Sequence, residues 1–319
     1  VIVLGANLTT DRTLYLDRLV PGNVIRPFRA LATAGGKAVN VCRAATAHGV
    51  RPRLIANLPG RMGAVVGELL DQEGHDVRRV TTDGEIRSAI VIIEDDLRTT
   101  VLNEPGPTLS AADRAALLDA FEAECPGHTV AVASGSLPPG PGAADLYAEM
   151  VARAHRQGVL VVLDAARTDL LAALPAEPDV VTPNLAEALS VLTGREVAES
   201  VEADGPDLAA TAIDAAGALR DRGARAALVT VGRHGVAGAG PGGTFWLDAP
   251  SVPQVNPIGA GDSFAAGLAV GLERRLALRE ATVLAVATGA ASVVTDLAGH
   301  VDVAVMNALL TTLLDGAAR

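Results

Sequence analysis

Short apolar runs recur along the chain at residues 1–6, 53–58, 129–134, 159–164, 179–182 and 226–232, and helix-like segments fill most of the intervals. That alternation predicts an α/β chain built on a doubly wound, mainly parallel sheet covered by helices. One covering helix is legible in detail over 110–124: Ser110 stands as N-cap, Asp113 follows three residues on, and Leu117, Leu118 and Phe121 fall on one face. Two stretches break the rhythm, 13–33 and 87–103. In the second, SAIVIIEDDLRTTVLN reads as two strands joined at Glu94-Asp95-Asp96. Together they predict an inserted β-lid of about 12–33 and 86–103. No repeat or linker marks off a second module, so one domain over 1–319 is expected.

Composition narrows this picture. Hydrophobic residues make up 49% of the chain and aromatics only 2%, so the core must be assembled from Ala, Val and Leu, which suits small strands under Ala/Leu-rich helices. The formal net charge of −11 disfavours nucleic acid, whose phosphate backbone needs a basic face. A small phosphorylated ligand needs only a local cluster of Lys and Arg. Cys42 and Cys125 lie far apart without metal-ligand spacing, so neither a disulfide framework nor a zinc site is indicated. No apolar run approaches the roughly 20 residues of a membrane span, and Val1 opens directly on a strand-like VIVLGA without signal-peptide regions. The missing initiator Met reads as a trimmed start. A cytoplasmic protein with no membrane partner is expected.

Polar clusters follow the apolar runs directly. They are 7–11, 134–140, Asp164, Thr182-Pro183-Asn184 with Glu187, and 230–235. In open α/β sheets ligands bind beyond the carboxyl ends of the strands, which is where these clusters fall. Turn chemistry alone accounts for the Gly, Pro and Asn but leaves the acidic residues unexplained.

The strongest local string is Asn256-Pro257-Ile258-Gly259-Ala260-Gly261-Asp262-Ser263, followed by FAAGLAVGL. Phe264, Leu268 and Leu272 fall four apart, and the small residues between them make a helix slim enough to be buried close to the sheet. Its unpaired first-turn amides and positive dipole end, approached over glycines, form an anion cradle. Asp262 in that first turn would be held ionised by the dipole and could take a proton from an attacking alcohol. It could equally cap the helix, and G-x-G-D by itself leaves both open. Gly36-Lys37 lacks the spacing of a P-loop, and Gly5-Ala6-Asn7 does not continue as a dinucleotide fingerprint.

The ordered set of Asn7…Asp11, Gly35-Gly36-Lys37-Ala38-Val39-Asn40-Val41-Cys42-Arg43-Ala44, Gly84-Glu85-Ile86-Arg87, 102–107, 134–140, Pro183-Asn184…Glu187 and 259–262 resembles the PfkB (ribokinase-like) sugar kinases over nearly the whole chain. Within them it resembles the 1-phosphofructokinase and tagatose-6-phosphate kinase branch. The resemblance implies a ribokinase-like αβα sandwich with a small β-lid, and transfer of the ATP γ-phosphoryl group to a sugar hydroxyl. It places Asp262 as base, with Gly259, Ala260 and Gly261 as anion hole. Sugar contacts fall on Asp11, Gly35, Gly36, Lys37 and Asn40, with Arg87 reaching in from the lid and Ser136 at the end of its strand. The nucleotide positions are Asn184, Thr230, Gly232, Gly235 and Gly261. Glu187 arranges Mg2+, through water. A homodimer through the lid is expected.

Three departures from that pattern bear on function. Thr182 stands where this branch usually carries Lys, Asn7-Leu8-Thr9-Thr10-Asp11 replaces an Asn-Pro start, and the Ala38 methyl replaces a glycine and would narrow the sugar pocket. A phosphorylated ketohexose (fructose 1-phosphate, fructose 6-phosphate or tagatose 6-phosphate) needs a second cationic cluster. Arg87 and Lys37 are its candidates, with Arg26 and Arg29 in the first lid stretch, although those two also read as solvated edge-strand charges. Two alternatives stay open: a kinase of an unphosphorylated sugar or nucleoside, and a catalytically silent regulator that binds sugar phosphate. With one Trp, two Tyr and four Phe, the chain has little to stack a nucleoside base on, and Trp246 falls in a hairpin away from the sugar pocket.

Overall fold

A computed structural model describes residues 1–96, 98–165, 167–198 and 207–317. In chain order the strands are β1 (Ile2–Gly5), β2 (Thr9–Leu16), β3 (Arg29–Gly35), β4 (Arg53–Asn57), β5 (Asp76–Val80), β6 (Arg87–Glu94), β7 (Thr99–Asn103), β8 (Val130–Ser134), β9 (Leu160–Asp164), β10 (Val180–Val181), β11 (Ala227–Thr230), β12 (Gly235–Gly240) and β13 (Gly243–Asp248). The helices are α1 (Lys37–Thr46), α2 (Gly60–Gln72), α3 (Ala111–Glu124), α4 (Leu146–Arg156), α5 (Arg167–Ala173), α6 (Leu185–Thr193), α7 (Leu208–Asp221), α8 (Ala260–Glu273), α9 (Leu278–Ser292) and α10 (Val303–Ala317). The large sheet runs β13-β12-β11-β10-β9-β8-β1-β4-β5 and is parallel except for the β12 and β13 hairpin at one edge. A separate sheet, β3-β2-β6-β7, forms the lid.

Strand alternation explains why two helical layers form. Ile2 and Leu4 of β1, with Ala131 and Ala133 of β8, face a core that also holds Leu117, Phe121, Tyr147 and Met150. Val3, Val130 and Val132 face the opposite core, with Val39, Val66, Leu268 and Leu284. Each layer therefore buries one face of every central strand. The α3 N-terminus is capped as its sequence predicts: Ser110 Oγ accepts from the Asp113 amide at 3.1 Å, and Asp113 accepts from the Ser110 amide in return.

The slim faces of α8 serve a different neighbour from the one expected. A Cβ on Gly267 would lie 2.9 Å from the Ala285 Cα, and one on Gly271 would lie 2.8 Å from the Ala281 Cα, so the small residues admit α9 and not only the sheet.

The lid is also longer than its apolar pattern. β2 begins at Thr9 and β3 ends at Gly35, because Thr9 and Thr10 are buried β-formers whose hydroxyls disguise the strand. Glu94, expected in the turn, instead ends β6 with its side chain buried. There it accepts from Arg98 Nε at 2.6 Å and from the Leu19 amide at 2.8 Å, while the turn falls at 95 and 96. β5 has no apolar run at all, since DVRRV is an edge strand paired only with β4.

Candidate active site

The parallel strands β1, β8, β9, β10 and β11 all end at one edge of the large sheet, and the polar clusters gather there. Asp164 ends β9 and is buried. It accepts from Ser134 Oγ at 2.9 Å, at the end of β8, and from Lys37 Nζ at 3.2 Å, at the start of α1. Asp164 above all, then Asp262 and Glu187, hold the Lys37 ammonium far above the ordinary lysine range, so it stays charged despite its half-buried position. Tyr147 fixes the next turn of chain by donating its hydroxyl to the Gly135 carbonyl at 2.9 Å.

Asp262 lies in the first turn of α8 and is 4% exposed. Its Oδ2 accepts from Asn40 Nδ2 at 2.8 Å. Burial pushes its carboxyl up to about 7. Asp164 and Glu187 add to that, while Lys37 and the Asn40 amide oppose it. The expected dipole effect is thus outweighed: desolvation of a carboxylate exceeds what a helix end returns, and the group is poised near neutrality.

The three residues before it are shaped by backbone. Gly259 is the N-cap of α8 with φ 84°, and a Cβ there would lie 2.9 Å from the Gly299 amide nitrogen. Gly299 in turn presses on α1, since its own Cβ would fall 2.6 Å from the Asn40 Cα. At Gly261 a Cβ would meet nothing within 4 Å. Among the described residues the Gly261 and Asp262 amides have no backbone acceptor, which leaves both as free donors at the start of α8. We expect Gly261→Ala to fold with an unchanged Tm yet lose kcat about 10- to 100-fold by filling this space, whereas Gly259→Ala lowers Tm. Thermal melts and turnover on both variants check this, and a fully active Gly261→Ala would contradict it.

A cavity of about 250 Å³ is lined by Asn7, Lys37, Ala38, Arg87, Ser136 and Glu187 among others, and none of residues 259–262 is on its wall. Arg87 crosses from the lid and donates Nε to the Asn7 carbonyl at 3.1 Å, and Asn7 Nδ2 lies 3.3 Å from Ser136 Oγ. Ala38 does bring its methyl to this wall. Asp11 lies instead on a larger cavity of about 630 Å³ that also touches Arg43, Asn256 and Ile258. Burial raises its carboxyl pKa, against the Thr9 hydroxyl at 3.0 Å and the charges of Arg43 and Arg87. Gly35 is where it is because a Cβ there would run into the Asp11 carboxylate. Asp262 lines neither cavity. Arg26 is exposed on the loop between β2 and β3 and away from both, and Arg29 stacks over Tyr15, so neither joins the expected cationic cluster.

Asn184 and Glu187 form a capping box on α6. Asn184 Oδ1 accepts from the Glu187 amide at 2.7 Å, and Glu187 Oε2 accepts from the Asn184 amide at 3.0 Å. The same spacing that was read as a magnesium element thus also starts a helix, and it aims Glu187 at the cavity. Thr230 is bridged to Asn184, and its amide donates to the Pro183 carbonyl at 3.1 Å. Gly232 and Gly235, with φ 46° and 146°, shape the next turn outside the cavity lining. Thr182 Oγ1 is buried without a hydrogen-bond partner. Trp246 lies on the edge strand β13, away from both cavities.

With this geometry in hand, comparison with known proteins is direct: the model of the pfkB family carbohydrate kinases matches residues 1–302. The chain belongs to the PfkB family. Among solved structures it is similar to phosphofructokinase-2 from Escherichia coli in complex with potassium, at 23% identity over 98% of this chain and 99% of that one, with a TM-score of 0.88. The same enzyme in complex with fructose-6-phosphate matches at 24% identity, with the same coverage and a TM-score of 0.85. Arabidopsis thaliana ribokinase complexed with ribose and ATP matches at 20% over 97% and 98%, with a TM-score of 0.73. At these identities the structures establish the ribokinase-like fold alone. PfkB kinases use ATP and are typically phosphotransferases with an alcohol as acceptor.

Among the described residues no group of three or more His, Cys, Asp or Glu is placed to hold a metal, and no helix is long and apolar enough to cross a membrane. A magnesium ion that entered this PfkB kinase with nucleotide phosphates would find carboxylates on the cavity wall. Two carboxylates line that cavity, Asp169 and Glu187, and Glu187 is the one expected to meet such an ion. Sequence reasoning missed the role of Asp164, although its place as the last residue of VVLD, a buried acid ending an apolar run, was the available signal. Arg43 and Glu73, which meet on the Asn40 side, carried no local signal at all.

Proposed function

We propose that this PfkB kinase transfers the γ-phosphoryl group of ATP to a hydroxyl of a phosphorylated ketohexose, with fructose 1-phosphate, fructose 6-phosphate and tagatose 6-phosphate as the candidates. The observation that carries the choice of a phosphorylated acceptor is Arg87. It is a half-buried guanidinium on a cavity wall that Ser136 and Lys37 also line, and desolvation lowers its affinity for its proton. A cation placed in that setting is best used by an anionic ligand that stays with it.

In the proposed mechanism the acceptor hydroxyl meets Asp262 over the open space at Gly261, and the carboxylate takes its proton as the oxygen attacks the γ-phosphorus, whose bond to the bridging oxygen breaks so that ADP leaves with the electron pair. The Gly261 and Asp262 amides oppose the charge growing on the transferred group, and Lys37 offsets the carboxylates around it. Magnesium, when bound with the nucleotide, neutralises phosphate charge. ADP release measured over the three hexose phosphates, ribose and adenosine tests the reading. Turnover confined to ribose or adenosine would replace it, and binding of a hexose phosphate without turnover would make the protein a sensor.

A second copy of the chain is the proposed partner of the lid. Val24 is 85% exposed and Phe28 66% exposed on the β2 to β3 loop, beside an unpaired β3 edge. Sedimentation is expected to show a dimer that Phe28→Asp weakens at least tenfold. A monomer at micromolar concentration would remove this partner.

A further inference from the structure

A chain of hydrogen bonds runs from a surface acid to the candidate base. His75 Nε2 lies 3.2 Å from Glu73 Oε2. Glu73, at the C-cap of α2, receives Arg43 in a two-pronged pair, Nε to Oε2 and an Nη to Oε1, both at 2.7 Å. The same guanidinium donates to the Ala34 carbonyl at 2.7 Å, and its other Nη lies 3.3 Å from Asn40 Oδ1. Asn40, one turn before Arg43 on α1, presents its amide nitrogen to Asp262.

A carboxamide has two dissimilar ends, and the one that faces a carboxyl decides which protonation state it favours. A guanidinium only donates, so it can satisfy the oxygen of Asn40 but never its nitrogen. With the oxygen engaged by Arg43, the nitrogen must face Asp262, where it stabilises the charged form. We infer that Arg43, clamped by Glu73, is a positioning residue that locks the Asn40 amide with its nitrogen toward Asp262 and so keeps that carboxylate available as proton acceptor. The clamp is itself well set. Burial of Glu73 works against its charge, yet His75 and Arg43 outweigh it and push the carboxyl down to about 2. The charged groups facing Asp262 from other elements are Lys37 on α1, Asp164 on β9 and Glu187 on α6. Those around Arg43 are Asp11 on β2, Glu73, His75 and His300.

The inference rests on Asp262 as the base. The test is the pH profile of kcat/KM for the wild type, Arg43→Met and Arg43→Lys, read by ADP release. In Arg43→Met the amide is free to turn over. Its acid limb is expected to move up by about one unit, giving a deficit of roughly tenfold at pH 6 that shrinks toward pH 9. Arg43→Lys, which keeps a donor for the Asn40 oxygen, is expected to recover most of the shift. In an Asn40→Leu background the Arg43→Met change should move the limb no further. Glu73→Gln, which keeps the fold of the corner but loosens the clamp, provides a second reading and is expected to shift the limb less in the same direction. A deficit equal at every pH, or an unmoved limb in Arg43→Met and Glu73→Gln, overturns the inference. If Asp262→Asn turns over normally, the base assignment falls and takes this one with it. If Asp262→Asn is inactive and the limb stays still, only the positioning role is lost.

Discussion

Replacing Asp262 with Asn is expected to lower kcat by about 10²- to 10⁴-fold while the dissociation constant for the sugar substrate stays within a few-fold, because the amide keeps the shape and loses only the proton acceptor. The same substitution is expected to raise Tm at pH 8. Burial lifts this carboxyl from 3.8 to about 7 in the folded chain, so between those values the native state holds a proton that the unfolded chain has released. Stability contributed by the group therefore falls as pH rises through that window, and above it the ionised carboxylate costs on the order of 4 kcal/mol. Asn avoids that cost, so the gain in Tm should be present at pH 8 and vanish near pH 4. The wild-type profile of kcat/KM should fall on its acid side through about pH 7, for the same reason read in the opposite sense. Turnover by Asp262→Asn near that of the wild type, or an identical change in Tm at both pH values, would count against the assignment.

The second large effect concerns Arg87. Arg87→Met is expected to raise KM for a hexose phosphate about 100-fold and leave kcat within a few-fold, since the guanidinium is proposed to hold the acceptor's phosphate and takes no part in the proton transfer. Slow turnover of unphosphorylated sugars should change little. That contrast separates loss of a phosphate contact from damage to the lid, which would depress all acceptors together. The guanidinium also donates to the Asn7 and Glu104 carbonyls, so some disturbance of the lid is built into the experiment, and the ratio between acceptors is the quantity to read.

What could be read from the sequence was whatever is carried by neighbours in the chain. The central strands, the capped start of α3 and the turn into α8 each depend on a few adjacent residues, and all three lie where their patterns put them. The chemistry of the site depends on pairs that no window contains. Lys37 and Asp164 are 127 residues apart, and Asn40 and Asp262 are 222 apart. The pattern of VVLD marks Asp164 as a buried acid but cannot say which cation answers it. The protonation of Asp262 is hidden from sequence for the same reason: a helix start is visible locally, whereas the burial that dominates is set by the tertiary packing that brings α1, with Asn40, against it. Strand β5 and the outer ends of the lid were hidden by arginines and threonines, whose polar letters conceal edge and β-forming roles.

The contact among Gly259, Gly299 and the Asn40 backbone bears on how this kinase can change over time. One residue without a side chain packs against the turn proposed as the anion hole on one flank and against Asn40, the partner of the proposed base, on the other. A mutation at Gly299 would therefore shift donor and acceptor chemistry together, and few such double shifts leave a working catalyst. Variation in what the enzyme phosphorylates has more room on the lid wall of the smaller cavity, at positions such as Arg87 and Asn103. A library aimed at new acceptors should be confined there and leave the 299 loop intact.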